Sequence, residues 1–132
     1  MNEGRWVAIG SLSAAVAVGL GAFGAHGLEG WLDAEHLNSY EVGVRYHLLH
    51  SVGLILVGLL IARWPGRAIS IAGFLLFAGI LLFSGGLYIW SLAQIRAVVH
   101  IVPLGGVCFL AGWVVLAFAA VGHRGSRAGA NS

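Results

Sequence analysis

"WVAIGSLSAAVAVGLGAFGA", residues 6–25, runs without a single charge. As an α-helix rising about 1.5 Å per residue, a stretch of this length crosses about 30 Å of hydrocarbon. Three further apolar runs follow, at 43–62, 68–92 and 103–121. With the first run extended to 6–26, the expectation is a four-span, all-α integral membrane bundle forming one domain over residues 1–132.

Composition agrees with lipid as the solvent. Of the 132 residues, 59% are hydrophobic and 9% charged, against about 45–50% and about 25% in soluble domains. A small soluble chain keeps too much of its surface in water to hide that much apolar area. The formal charge of +2, spread over scattered arginines, excludes nucleic acid as a partner. Cys108 stands alone in an apolar stretch, so there is no disulfide framework and no thiolate cluster, and no metal or other cofactor is expected. Arg5 ahead of an apolar run that ends in "AFGA" has the outline of a cleaved signal peptide, but the run exceeds the usual length of such a core.

Charge asymmetry orients the spans. With four crossings, the N-terminus, the link "RWPGR" (63–67) and the tail "GHRGSRAGANS" (122–132) share a side. That side holds Arg5, Arg63, Arg67, Arg124 and Arg127 against Glu3 alone. The opposite side holds Glu29, Asp33, Glu35 and Glu41, with Arg96 and the near-membrane Arg45. Both termini are therefore expected in the cytoplasm, and the tail is expected to be irregular. The acidic link "LEGWLDAEHLNSYE" (28–41) reads as a short amphipathic segment on the outer surface, between the first two spans.

Small residues mark helix contacts, because close backbone approach drives association in lipid. Ser13, Ala17, Gly21 and Ala25 form a stripe of period four on the first span, and Gly85, Gly105 and Gly106 supply surfaces on the third and fourth. Pro103 suits the first turn of the fourth helix.

"RYHLLHS" (45–51) places polar groups inside the second span. His47 and His50 share a face, with Tyr46 adjacent to His50 and Ser51 to His47. His26 closes the first span, Ser84 and Tyr88 end the third, and His100 precedes the fourth. The topology gathers these side chains in the outer half of the bundle. One reading is structural, each group supplying another's hydrogen-bond partner. A second is a haem- or metal-binding redox site, although His50 lies roughly 10–15 Å deeper than His26 at the helical rise. A third is proton or small-solute transport along the imidazoles and phenols. A hydrolase triad lacks an acid beside Ser84, and "GLGAFG" (19–24) ends a membrane span rather than a strand, so a dinucleotide fingerprint fails in context. No enzymatic role is expected.

"GAFGAHGL" (21–28), "YHLLH" (46–50), "FSGGLY" (83–88) and "PLGGVCFLAGW" (103–113), in this order and spacing, resemble the transmembrane protein 256 family, also catalogued as domain of unknown function 423. The resemblance covers nearly the whole chain. It implies a small multi-pass protein of the bacterial inner membrane and gives weight to His26, Tyr46, His50, Ser84 and Tyr88. The chain departs from the family pattern at His47, where glutamine is usual, at Gly86, where serine is common, and at Val102, where threonine is common. The departure at His47 leaves His26 and His50 as the pair to test. The expected role is a structural or accessory component that binds a membrane partner or a second copy in the lipid bilayer.

Overall fold

The computed structural model describes residues 1–64 and 66–130, with the backbone only at 126–128 and 130. Pro65 of the expected break, the Arg127 side chain and residues 131–132 of the expected tail lie outside the described residues.

Among the described residues, five α-helices make four long rods, each apolar enough to cross a membrane. α1 spans Glu3–Gly27 and α2 Ala34–Arg63. The third rod is α3 (Arg67–Gly79), a π-helical segment (Ile80–Ser84) and α4 (Gly85–Ala93) in continuous succession. A 3₁₀ segment, Arg96–His100, leads into α5, Val102–Ala130.

The ends of these rods follow from local chemistry. Asn2 caps α1, its Oδ1 accepting from the Arg5 N–H at 2.9 Å, and Asp33 caps α2 by accepting from the His36 N–H at 2.9 Å. Between α1 and α2 the chain reverses over residues 28–33, where Gly30 sits at φ +88° and the Trp31 N–H closes a turn onto the Leu28 carbonyl. Gln94 ends α4 in the left-handed region at φ 55°, its N–H returning to the Trp90 carbonyl.

Two boundaries differ from expectation. The amphipathic link is not a separate surface segment: residues 34–42 form the first turns of α2, because the Asp33 cap starts the helix ahead of the apolar run. The tail is helical up to Ala130 rather than irregular: no proline stands between Val121 and Ala130, and adding residues to the helix that α5 has already formed needs no new nucleus.

α1 packs along α2, α5 along α3, and α2 also meets α3, α4 and the π segment. The core is Trp6, Leu54, Val57, Ile69, Leu76, Ile80 and Phe109. Glycines set how closely the rods approach. A Cβ on Gly10 would lie 2.8 Å from the Ser51 carbonyl oxygen, and one on Gly24 would lie 2.5 Å from the Tyr40 ring. Gly105 lies against the backbone of Phe83 inside the π segment, which leaves no room for a side chain.

Candidate functional site

α2 brings His47, His50 and Ser51 onto the face it turns to the rest of the bundle, where they are 6%, 2% and 0% exposed. At 47, 50 and 51 they stand three and four residues apart, the spacing of one helical face.

Around His47 the hydrogen bonds can be directed, because a carbonyl only accepts. Ser51 O–H donates to the His47 carbonyl at 2.7 Å. With that proton committed, the 2.6 Å contact between Ser13 and Ser51 has Ser13 as donor. Ser13 then accepts from His47 Nε2–H at 3.1 Å. In a neutral imidazole the other nitrogen, His47 Nδ1, then carries the lone pair, and Tyr88 O–H donates to it at 2.9 Å. The four side chains, from α1, α2 and α4, form one closed series of bonds around a neutral imidazole.

His50 is committed in the same way. Its Nδ1–H donates to the Tyr46 carbonyl at 2.7 Å, and its Nε2 accepts from Trp113 Nε1–H at 3.1 Å. The Phe109 ring stacks on the imidazole at a centroid distance of 3.5 Å. Two further bonds tie helices together: Ser84 O–H to the Gly43 carbonyl at 2.8 Å and Tyr40 O–H to the Leu20 carbonyl at 2.5 Å. The π segment has a part in the first of these. Its Gly85 N–H reaches back to the Ile80 carbonyl, a five-residue step that turns Ser84 from where a regular helix would aim it.

The polar side chains expected to converge do so in part. His47, His50, Ser84 and Tyr88 lie between the helices. Tyr46 is 41% exposed, stacks on His50 and Phe109 with Phe83 tilted against it, and its hydroxyl has no hydrogen-bond partner among the described residues. His26, in the last turn of α1, and His100, at the end of the 3₁₀ segment, are exposed. Neither bonds to the others, so the His26–His50 pair does not form. The helical rise explains this: His26 ends its rod while His50 sits midway along its own.

The packing residues divide similarly. Ala17 is fully buried, a Cβ on Gly21 would lie 3.2 Å from Val44, and Gly106 is at ordinary distance from Phe83. Ala25 is exposed and Gly85 faces no other helix closely. The α1 stripe bends toward Gly10 and Gly24 because a face that tracks a neighbouring helix repeats nearer 3.5 residues than four. Ser13 belongs to the polar series as well as to the packing face. Trp113 is a member that the polar pattern of the sequence does not single out. Its indole N–H, which needs a partner inside a membrane, is the available signal.

Among the described residues, four buried side-chain atoms have no partner: Trp6 Nε1, His36 Nε2, Ser91 Oγ and His123 Nε2. Nor, among those residues, are any three His, Cys, Asp or Glu side chains grouped so as to hold a metal ion. At the helix ends, the His36 backbone N–H, then its side chain, hold the Asp33 carboxyl below the usual carboxylate range.

Rods of this length with a core bonded to itself define a four-span α-helical membrane protein. A family model described as "Protein of unknown function (DUF423)" matches residues 20–106. The chain is 47% identical over 117 residues to the UPF0382 membrane protein YwdK of Bacillus subtilis (strain 168), covering 88% of this chain and 95% of that one. It is 43% identical over 120 residues to the UPF0382 membrane protein SERP0230 of Staphylococcus epidermidis, covering 91% and 98%. No solved structure matches. The chain belongs to the DUF423 family, in agreement with the resemblance its motifs carry.

Proposed function

We propose that this protein is a non-enzymatic accessory component of the bacterial inner membrane, with both termini in the cytoplasm, that docks onto a membrane partner or a second copy of itself. One observation carries the reading. The imidazoles of His47 and His50 and the hydroxyls of Ser13, Ser51 and Tyr88 are spent on one another, on the Trp113 indole and on backbone carbonyls, joining helices instead of facing a substrate. Such bonds are worth about 0.6 kcal/mol each on average between membrane helices, enough together to fix one packing.

The flanking helices supply the docking faces. α1 exposes Leu12, Val16, Val18 and Phe23, and α5 exposes Leu110, Val114, Phe118 and Val121. The redox reading is weaker because His47 and His50 have no nitrogen left for a metal or haem iron. Orientation rests on Arg5, Arg63, Arg67 and Arg124 at one end of the rods, against Glu29, Asp33, Glu35 and Glu41 at the other.

A photoreactive residue at Val16 or Leu110, in the chain at native expression, tests the docking. The expected result is one discrete cross-linked band, either a dimer of this chain or a single partner that recurs from both positions. Adducts with lipid alone, from both positions, overturn the proposal.

A further inference from the structure

At the end of the bundle away from the termini, the first turns of α2, the end of α4, the 3₁₀ segment and the start of α5 enclose a groove of ≈ 590 Å³. That is within the range of about 300–1,000 Å³ typical of small-molecule sites. Its lining is apolar at Leu87, Val99 and Val102. One wall is Trp90, against which His36 lies at a ring-centroid distance of 4.8 Å. Asp33 fixes that imidazole through Nδ1 at 2.8 Å.

The rim holds a cation and an anion, Arg96 and Glu35, both exposed. Neither forms an ion pair among the described residues, where the one salt bridge joins His36 to Asp33. Opposite charges on one groove that do not neutralise each other leave two complementary half-sites, one in the first turn of α2 and one at the start of the 3₁₀ segment, where two of the long rods begin.

We propose that this groove binds one zwitterionic phospholipid with a primary-amine headgroup, phosphatidylethanolamine in chemical class. The phosphate meets the Arg96 guanidinium, whose planar donors match phosphate oxygens. The ammonium donates to the Glu35 carboxylate, and an acyl chain covers the apolar lining. A choline headgroup has no N–H to donate and is recognised by cages of several aromatic rings, whereas this groove has one tryptophan. An anionic glycerol headgroup offers Glu35 no cation.

The full-length protein is reconstituted into nanodiscs holding phosphatidylethanolamine, phosphatidylglycerol and phosphatidylcholine in equal parts. Lipid retained after transfer to mild detergent is counted by native mass spectrometry. The expected result is one phosphatidylethanolamine per chain. Arg96→Gln lowers that retention about tenfold, the loss of one charge-assisted bond of about 1.4 kcal/mol. Glu35→Gln keeps a bound lipid and removes the preference among the three. Both side chains are exposed, so unchanged helicity by circular dichroism confirms that each variant folds. Equal retention of the three lipids, a preference for phosphatidylglycerol, or indifference to Arg96→Gln overturns the assignment.

Discussion

At His47 one side chain holds three helices, through Ser13 of α1 and Tyr88 of α4, from its own place on α2. Replacing it with leucine leaves the Tyr88 O–H without its acceptor and takes from Ser13 the N–H it accepts. Leaving buried polar groups unpaired costs about 1–3 kcal/mol. His47→Leu is therefore expected to lower the thermal midpoint in detergent, measured by circular dichroism. Glutamine carries both a donor and an acceptor, so His47→Gln should lose less than half as much. Equal losses for the two would show that shape, not hydrogen bonding, matters there. Asp33 offers a second test at this scale. Its carboxyl titrates below the ordinary 3.8 because the His36 backbone N–H, then the His36 side chain, bind the charged form. A lowered folded-state value means stabilisation that is complete above the unfolded value and lost as pH falls through the folded one. The gap in thermal midpoint between the native chain and Asp33→Ala should hold from pH 7 to about 5 and narrow below about pH 4. A gap that does not change with pH would assign the cap's effect to shape alone.

Among the elements, the π segment decides how α5 meets the third rod. Gly105 faces the Phe83 backbone there, whereas a Cβ added to Gly19 on α1 would have nothing within 4 Å. Gly105→Ala should push α5 outward and destabilise by about 1–3 kcal/mol, the usual cost of overpacking. Gly19→Ala should be neutral or stabilise by up to about 1 kcal/mol through helix propensity. Unfolding midpoints in a graded sodium dodecyl sulfate titration compare the two, and equal midpoints would refute the close contact. These elements also show how far the sequence can be read. Long apolar runs make the rods legible, since hydrocarbon demands continuous helix. The π step is not legible: "ILLFS" has no proline and no charge, and the extra residue in its turn answers to contacts with α2 and α5. Ser84 and Tyr88 can be placed at the site from their position on the third rod. The bonding roles of Ser13 and Trp113 require knowing which faces meet, and three helices carry small-residue stripes that compete for that part.

For the molecule as a whole, depth along the rods separates the histidines that can meet from those that cannot. His47 and His50 lie well inside a 30-residue helix, while His26 and His100 mark ends. That logic is available from residue counts alone, and it weighs against a His26–His50 ligand pair before any contact is known. The proposed orientation across the bilayer rests on a different physical rule, the retention of arginine-rich segments on the cytoplasmic side. In the fold, Arg5, Arg63, Arg67 and Arg124 lie at the end shared by the start of α1, the α2–α3 connection and the later turns of α5. The acids Glu29, Asp33 and Glu35 lie at the other end, in the α1–α2 connection and the first turn of α2. Single cysteines in a Cys108→Ser background measure this directly. Glu29→Cys is on the exposed turn between α1 and α2, and Arg124→Cys is exposed on α5. In spheroplasts treated with a membrane-impermeant maleimide, Glu29→Cys should label at once and Arg124→Cys only after permeabilisation. Labelling of both before permeabilisation would place the two ends on one side and break the four-span path. Labelling of Arg124→Cys alone would invert the molecule, and with it the side on which the Arg96–Glu35 groove meets its lipid.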